Sequence, residues 1–526
     1  MKKKEARILA AAFLAGGTLL TVGQTSAAPM DDDRSSAARA IDRSERDVRM
    51  EAEKNAKPMD VKNMNVRVSA VIVTGASEQT VRALLPELSR DTVNIRKLSQ
   101  EIQSVNDTGG LRIATEFTPA GADAYRVTVK VQEKKSDHVR LTVSNTGTDY
   151  TGDWRTSLTY LNTNISGQAD SLGAAFVTSP GHFGDVKVGA LSYRKLAPQL
   201  KGAFSLSVSH GRTSIDNYPT GTSLYDLNIG GKSTNVDLHY QRFLSYTSRN
   251  KDILDFGIGY RSTESDYGFS FGGTPVKFEN DYRVILASAT YLHSERKPNS
   301  VFSYNVGVAT NISGDAADYE RVSPGADRQF ALLRAGVNYQ ARTQSDWIGA
   351  VRLSGQYTKD HIVPSEQLGA GGAMSVRGFD ERAIGADKGF VGSIEIYTPE
   401  IAKHTRLLAF TDYAHLTNNR NDRNRNAIFD SESIASAGLG VRYADDRFSL
   451  ALDYATILRD ADKVNLNGQN SRHWNLTASV NFYGWERKER NESSEENAPR
   501  QPRGTHSACT LELCARHADG RRRAVG

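Results

Sequence analysis

The chain has little of the side-chain chemistry that most enzymes use. Only two of its 526 residues are cysteines, Cys509 and Cys514, and both lie near the end. The main body therefore has no disulfide, no thiol nucleophile and no cysteine metal site. The histidines show no metal-ligand spacing, and no Gly-Lys-Ser/Thr sequence follows the glycine-rich stretch to hold a phosphate. We expect no catalytic residues, no metal and no cofactor.

Long apolar runs are also missing. The mean hydropathy is −0.50, and hydrophobic residues make up 38% of the chain. No internal run reaches the roughly 18 apolar residues of a transmembrane helix. A membrane β-barrel remains compatible, because its strands are short and only alternate in hydrophobicity. The net charge of +5 comes from the two ends of the chain. The body is therefore neutral, and we expect no nucleic-acid partner.

The N-terminal residues have the pattern of a secretory signal. Residues 2–4 are lysines, residues 8–22 are apolar, and residues 25–28 are small. This order predicts a signal peptide over residues 1–27, and the alternative is a short membrane anchor. Residues 28–65 are mostly charged and show no strand pattern. They are interpreted as a polar linker or as a plug-like helix within residues 31–56.

Residues 66–135 predict a small α/β domain. Residues 66–74 are rich in β-branched side chains, Ser77 is a plausible N-cap, and residues 111–117 and 125–132 predict a hairpin. Two helices are predicted between them, because apolar residues recur at helical spacing: Val81, Leu84, Leu85, Leu88, then Ile95, Leu98, Ile102 and Val105. The predicted order is β-α-α-β-β.

From residue 138 onward the helical spacing gives way to alternation with period two. Leu254, Phe256, Ile258 and Tyr260 alternate with small or charged residues, and similar segments recur up to Phe482. We expect about 16 strands of about ten residues or more over residues 138–484. The predicted fold is an all-β transmembrane barrel of antiparallel strands, preceded by the small α/β domain. A soluble β-sandwich is the alternative, with its apolar face turned inward.

The gaps between these segments alternate in length, which favours the barrel. Short gaps are expected near 245–250, 294–299, 343–345, 400–404 and 445–446. Long gaps are expected near 214–232, 263–280, 313–327, 360–387, 418–430 and 459–471. Short turns at one rim and long loops at the other are typical of outer-membrane barrels. An even strand count then places the α/β domain at the rim with the short turns.

The end of the predicted barrel has a distinct pattern. Its last strand alternates cleanly and stops at an aromatic residue, as in the insertion signal of outer-membrane barrels: Trp474, Leu476, Ala478, Val480 and Phe482. Residues 485–526 are polar and rich in arginine. We expect them to form a disordered tail without function, and either a genuine extension or an artefact of the reading frame would explain them.

The most specific motif lies in a glycine-rich stretch, residues 369–389. It consists of Ser375, Val376, Arg377, Gly378 and Phe379. A carboxylate, Asp412, follows one strand later and shares a strand face with Phe410. If the opposite face meets lipid, Asp412 points into the barrel. A guanidinium then has a bidentate partner there. A solvated loop arginine is the alternative.

Taken in order, these features resemble the two-partner-secretion transporters. That family comprises the haemolysin and filamentous-haemagglutinin secretion/activation proteins (ShlB/FhaC/HecB-like), in a superfamily shared with barrel-assembly insertases. The resemblance covers residues 66–482 and is carried by 371–379, 385–389 and 395–399, with 145–147, 151–152 and 167–170 at the start of the barrel.

The resemblance implies a pore in the outer membrane that exports a large secreted exoprotein from periplasm to cell surface without ATP. It implies a monomer with the α/β domain in the periplasm. Outer-membrane lipid is an implied partner, and so are periplasmic chaperones and the barrel-assembly machinery during biogenesis. The alternatives are an insertase that assembles other barrels, or a passive porin.

The resemblance also implies residue roles. The motif loop folds into the lumen, and Arg377 pairs with Asp412. The α/β domain resembles a polypeptide-transport-associated (POTRA) domain, which binds extended clients by strand addition. The implied client edge is Leu111, Arg112, Ile113, Ala114, Thr115, Glu116 and Phe117; a mere spacer is the alternative. Two features depart from the family: one such domain instead of two, and a chain that continues past Phe482.

Overall fold

The computed structural model describes most of the chain between residues 63 and 483. The described ranges are 63–121, 124–134, 136–147, 151–218, 227–271, 274–424, 429–461 and 471–483, with 509–510 and six residues between 36 and 43. The expected signal peptide and most of the expected linker and tail lie outside the described residues. No described helix is long and apolar enough to cross a membrane.

The N-terminal domain is a four-stranded sheet packed against two helices. Its elements are β1 Asn65–Thr74, α1 Glu78–Leu84, a 3-10 turn Pro86–Ser89, β2 Thr92–Asn94, α2 Ile95–Asn106, β3 Leu111–Pro119 and β4 Ala124–Glu133. Within it the strand order is β2-β1-β4-β3, and β1 runs parallel to β4. The short strand β2 was not expected from the sequence. Ser77 and Asn94 cap the two helices by accepting backbone N–H bonds.

Glu101, on α2, makes the stability of this domain depend on pH. Burial raises the pKa of Glu101 to about 8, and the neighbouring carboxylate of Glu87 adds to the rise. A carboxyl whose pKa is raised on folding stabilises the fold at low pH, and that contribution is lost as the pH rises towards 8. In the full chain, Glu101→Gln should therefore slow proteolysis of the N-terminal domain at pH 8.5 and have little effect on it at pH 5. An equal effect at both pH values would contradict this prediction.

The rest of the described chain is built almost entirely of strands. The elements are β5 Asp137–Ser144, β6 Arg155–Asn162, β7 Asp170–Thr178, β8 Val186–Ala197, β9 Gly202–Tyr218, β10 Leu227–Tyr246, β11 Asn250–Phe271, β12 Thr274–Lys297, β13 Ser300–Ser313, α3 Ala316–Val322, β14 Ala331–Arg342, β15 Ile348–Tyr357, β16 Leu368–Ala370, β17 Gly378–Phe379, β18 Ile384–Ala386, β19 Lys388–Tyr397, β20 Thr405–Thr417, β21 Ser431–Ala444, β22 Phe448–Arg459, β23 Ser471–Arg472, β24 Trp474–Tyr483 and β25 Cys509–Thr510. Two 3-10 turns, Pro198–Leu200 and Pro364–Glu366, complete the set.

Sixteen of these strands form one closed antiparallel barrel, which confirms the predicted fold class. They are β5–β15, β19–β22 and β24. The barrel closes where β24 pairs with β5, with Tyr483 opposite His138. The apolar residues of alternate positions face outward, and Leu238 and Leu439 are 48% and 68% exposed. The intervening polar residues, such as Asp237 and Asp255, are buried inside. Apolar outside and polar inside is the pattern of a membrane barrel.

Two of the expected long loops are largely strand. β11 and β12 pair continuously from Asn250↔Glu295 to Phe271↔Thr274, so the gap expected at residues 263–280 is a hairpin. A strand of 22 residues spans about 70 Å, well beyond the roughly 25 Å apolar band of such barrels. Beyond that band both faces of a ladder can be polar, and hydrophobic alternation no longer marks the strand. The gap expected at 214–232 is shortened for the same reason.

The N-terminal domain packs against the barrel rim that carries the short turns. Its core is continuous with Ala169, Leu196, Ala203 and Phe243 of the barrel. An ion pair crosses the same contact, with Lys251 Nζ 2.7 Å from the buried Asp107 at the end of α2. These contacts place the outer strand β3 and the barrel entrance at one end of the molecule.

Candidate functional site

The loop between β15 and β19 folds into the barrel instead of leaving it. Its β16 pairs with β18, and its β17 pairs with β23. Gly371 and Gly378 have φ values of 116° and 95°, which other residues adopt only with strain. These glycines allow the tight turns that carry the Ser375–Phe379 motif inward.

Arg377 is buried at the tip of this loop and binds the wall. Its Nε donates to Asp412 Oδ2 at 2.7 Å, and its Nη2 donates to Asp412 Oδ1 at 2.8 Å. The Arg377 backbone N–H also donates to Asp412 Oδ2, at 3.1 Å. The structure thus brings together the arginine and the aspartate that the motif pointed to, 3% and 1% exposed. Bidentate charge-assisted pairs of this kind are the strong ones.

Further groups surround the same guanidinium. Arg377 Nη1 lies 2.9 Å from Glu395 and 3.6 Å from Asp453. Its Cζ lies 3.5 Å above the ring centroid of Phe410, the residue that shares a strand face with Asp412. A cation over an aromatic face adds attraction where water is excluded. The barrel wall therefore contacts the Arg377 guanidinium through three carboxylates and one aromatic ring.

Two more arginines complete a neutral cluster. Arg352 Nη2 donates to Glu395 at 2.7 Å, and Arg442 pairs with both Asp453 oxygens at 2.7 and 2.8 Å. Three guanidinium groups thus face three carboxylates, so the charges within this cluster balance. Each carboxylate is engaged by an arginine, and no group of three metal-binding side chains occurs among the described residues. Sequence reasoning missed Arg352, Glu395, Arg442 and Asp453; their one signal is that each is a charge on an inward-facing strand position.

The neighbours of Arg377 in the motif anchor the loop by packing. Val376 and Phe379 are at most 1% exposed and join a core with Ile384, Leu416 and Ile434. The Ser375 hydroxyl accepts the Gly371 N–H at 3.3 Å. Gly378 lies in β17, where an added Cβ would come 3.2 Å from Ala455 Cβ. The motif therefore combines one charged anchor with two apolar ones.

A Ser–His–Asp chain lies at the outer end of the same loop. Ser323 Oγ lies 2.9 Å from His361 Nε2, and His361 Nδ1 lies 2.8 Å from Asp387. This order of groups is that of a hydrolase triad, but an oxyanion hole is needed as well. Pro324 follows Ser323 and has no N–H. The nearby amides of Ser323, Gly325 and Ala326 donate to other protein oxygens. The chain of bonds ties the β13–β14 loop to the β15–β19 loop.

A helical segment occupies part of the lumen. The described residues between 36 and 43 are helical, and Ala37 and Ile41 are at most 1% exposed. They pack on the inner wall with Ala175, Val177, Val186, Val188 and Ala190. Gly173 makes the close approach possible, because a Cβ there would lie 2.2 Å from Ile41 Cγ2. This segment falls within the residues interpreted as a linker or plug-like helix.

The expected client edge, Leu111–Phe117, lies in β3 at the border of the N-terminal sheet. Leu111, Ile113 and Phe117 point into the domain core, whereas Arg112 and Ala114 are exposed. β4 pairs with one side of β3. On the other side lies β25, so residues 509–510 form a strand where the sequence predicted a disordered tail.

The last barrel strand places its alternating residues as its pattern suggests. Trp474 and Phe482 are 54% and 50% exposed on the outer face, which Leu476, Ala478 and Val480 share. Asn475 and Ser479 point inward and are buried. The seam with β5 is held by side chains as well, with the Thr142 and Ser479 hydroxyls 2.9 Å apart.

Comparison with known proteins finds CdiB proteins among the similar sequences and structures. The outer membrane transporter CdiB of Dickeya dadantii (strain 3937) is 21% identical over 368 residues, which cover 68% of this chain and 64% of CdiB. The chain thus spans 64% of the length of this curated relative. The solved structure of CdiB from Escherichia coli matches with a TM-score of 0.66 at 15% identity, covering 79% of this chain and 76% of that one. CdiB from Acinetobacter baumannii matches with a TM-score of 0.62 at 18% identity, covering 79% and 74%. At these identities the solved structures show a shared fold.

A family match covers the site itself. The model of the haemolysin secretion/activation protein family ShlB/FhaC/HecB matches residues 124–443. That stretch is more than half of the chain and includes both Arg377 and Asp412. It confirms the resemblance drawn from the motifs, and the barrel is one of the outer membrane. The chain belongs to the haemolysin secretion/activation protein family ShlB/FhaC/HecB.

Proposed function

We propose that this protein exports a large partner exoprotein through its barrel, from the periplasm to the cell surface, in two-partner secretion. The observation that carries the proposal is the inward loop, held to the barrel wall by the buried Arg377–Asp412 pair. A passive porin does not need a loop that is bound to its inner wall in this way. Neither ATP nor a cofactor enters the proposal, because folding of the client outside the cell can drive its movement.

The inner wall suits an extended polypeptide. A recess opens between β9 and β14 and is lined mainly by polar residues, among them Asp237, His239, Gln241 and Asp255. A chain in extended form carries unpaired backbone groups, which such a wall can bind without a fixed sequence. The loop and the residues 36–43 fill other parts of the lumen, so both have to move when a client passes.

The N-terminal domain supplies the proposed entry. Its outer strand β3 is the proposed backbone edge for strand addition, and the contact of this domain with the barrel rim supports a role at the entry of the pore. We propose that the protein acts as a monomer in contact with outer-membrane lipid. Periplasmic chaperones and the barrel-assembly machinery are proposed partners during biogenesis only.

Photo-crosslinking from neighbouring barrel positions tests the proposal. Ser205 lines the recess, whereas Leu206, the next residue of β9, is 44% exposed on the outer face. A photoreactive amino acid at position 205 should crosslink to one large secreted protein in living cells. The same amino acid at position 206 should not. Equal crosslinking at both positions, or crosslinks to other barrel proteins alone, would contradict export through the lumen.

A further inference from the structure

Three cations lie side by side on the outer face of the barrel, across three neighbouring strands. Lys187 of β8 is paired with Arg212 of β9, and Arg212 is paired with Lys232 of β10. All three side chains are exposed. Neighbouring strands lie about 5 Å apart, so the row holds three positive charges within about 10 Å. Like charges directly opposite each other destabilise a sheet, and an anion bound across the row would remove that cost.

The protein neutralises only one end of this row. Lys232 Nζ lies 3.2 Å from a carboxylate oxygen of Glu264 on β11. Within the part of the chain that the structure describes, neither Lys187 nor Arg212 has a carboxylate within ion-pair distance. Lys187 Nζ lies over the ring of Phe183 instead, 5.4 Å from its centroid. Two adjacent positive charges therefore face the surroundings of the barrel.

An apolar surface begins directly below the row, towards the N-terminal domain. Leu191 and Val208 lie four residues from Lys187 and Arg212 and share their strand faces, because side chains alternate with period two. They are 58% and 40% exposed on the outer face. Four residues of strand span about 13 Å. The cations thus lie at the edge of the lipid-facing band, where the polar headgroups of a membrane begin.

The row lies at the barrel end with the long loops. Lys187 is near the start of β8, whereas Leu196 near the end of β8 packs against the N-terminal domain. In the proposed function that domain is in the periplasm, so the row belongs to the cell-surface side. The inference below rests on the proposed function for this orientation. The lipids of that leaflet are phosphorylated glycolipids of the lipid A type.

We infer that Lys187, Arg212 and Lys232 form a binding site for a phosphorylated glycolipid of the outer leaflet. The Arg212 guanidinium offers a bidentate fork to a phosphate group, and the two ammonium groups beside it add donors and charge. The acyl chains of the same lipid lie against the apolar surface of Leu191 and Val208. The site thus matches both parts of an amphiphile, an anionic head and an apolar tail.

Lipid titration of the full chain tests the site. The protein is purified in detergent, freed of copurified lipid and titrated with lipid A that carries both phosphates. Lys187→Gln with Arg212→Gln should bind at least about tenfold more weakly, since each cation near an anionic lipid contributes roughly fivefold to binding. Both substitutions lie on exposed side chains, and slower gel migration after heating verifies that the barrel folds.

Lys195→Gln with Arg242→Gln is the matched control. These residues are a lysine of β8 and an arginine of β10, both exposed near the opposite end of the barrel. This variant loses the same charge and should keep the affinity of the parent. Equal affinity of the parent and the Lys187/Arg212 variant would overturn the inference, and so would an equal loss in both variants.

Three further ligands identify what the site recognises. Lipid A without its phosphates should bind at least about tenfold more weakly than the phosphorylated form, and equal binding would contradict a phosphate site. Phosphatidylglycerol that binds as tightly as lipid A would contradict a glycolipid site. Inorganic phosphate that displaces lipid A at equal concentration would show that the lipid part is not recognised. No client is present in these titrations, so failure of the export proposal would leave their results unchanged.

Discussion

Replacement of Arg377 with alanine is expected to stop secretion while the barrel still reaches the outer membrane. The substitution leaves Asp412 buried without its partner and gives the cluster a net negative charge. Removal of one member of a buried pair costs about 3–5 kcal/mol, enough to release the loop from the wall. The barrel ladder itself does not include Arg377. Client protein in the medium and folded barrel in the outer membrane are the two quantities to measure.

Variants that change the charge of the cluster in different ways test this prediction further. Asp412→Ala should have the same effect, since it removes the bidentate partner of Arg377 and gives the cluster a net positive charge. The double variant Arg377→Ala with Asp412→Ala restores neutrality among the remaining groups, and its defect should be no larger than either single defect. Lys359→Ala is the matched control, because Lys359 is an exposed cation of the same loop. Normal secretion by both single variants would rule out a role for the Arg377–Asp412 pair in export.

Gly173→Ile is expected to drive the 36–43 helix from its place in the lumen. The new side chain would occupy the space of Ile41, since even a Cβ at this position lies 2.2 Å from Ile41 Cγ2 and 2.8 Å from Ser192 Oγ. Overpacking of this kind costs about 1–3 kcal/mol, which is comparable with the gain from burying one apolar side chain. We therefore expect the contact between the 36–43 helix and the wall to break, and the helix to leave its place. The expected result is higher single-channel conductance in planar bilayers.

Gly189→Ile is the control for that experiment. Gly189 lies on the neighbouring strand β8, and a Cβ there meets no atom within 4 Å. The same bulk is thus added to the barrel without touching the helix, and conductance should stay at the parent level. A conductance for Gly173→Ile equal to that of the control would show that residues 36–43 do not limit the channel.

The barrel was predictable because its physical signal is local. Period-two alternation marks a wall with lipid on one side and a polar lumen on the other, and the structure has the expected sixteen strands. The face of Asp412 followed from the same parity. Phe410 and Asp412 are 5% and 1% exposed, whereas Leu407 and Tyr413 on the opposite face are 41% and 38% exposed.

The rest of the site depends on distant pairings that no local pattern records. Glu395 and Asp453 reach Arg377 from β19 and β22, two wall strands that come close to it only because the loop folds into the lumen. The sequence predicts a loop where the outer part of the β11–β12 hairpin lies, because that part leaves the apolar band that produces alternation. The contact of β25 with β3 joins segments nearly 400 residues apart, and two residues of strand carry no periodicity.

The most direct test of the account is a mass-spectrometric comparison of culture medium and outer membrane from cells with and without this gene. Export of a dedicated partner predicts that one large protein disappears from the medium, while other outer-membrane barrels keep their levels. A joint fall of many outer-membrane proteins would contradict this and identify an insertase. No change in either fraction would contradict it as well and leave a passive channel.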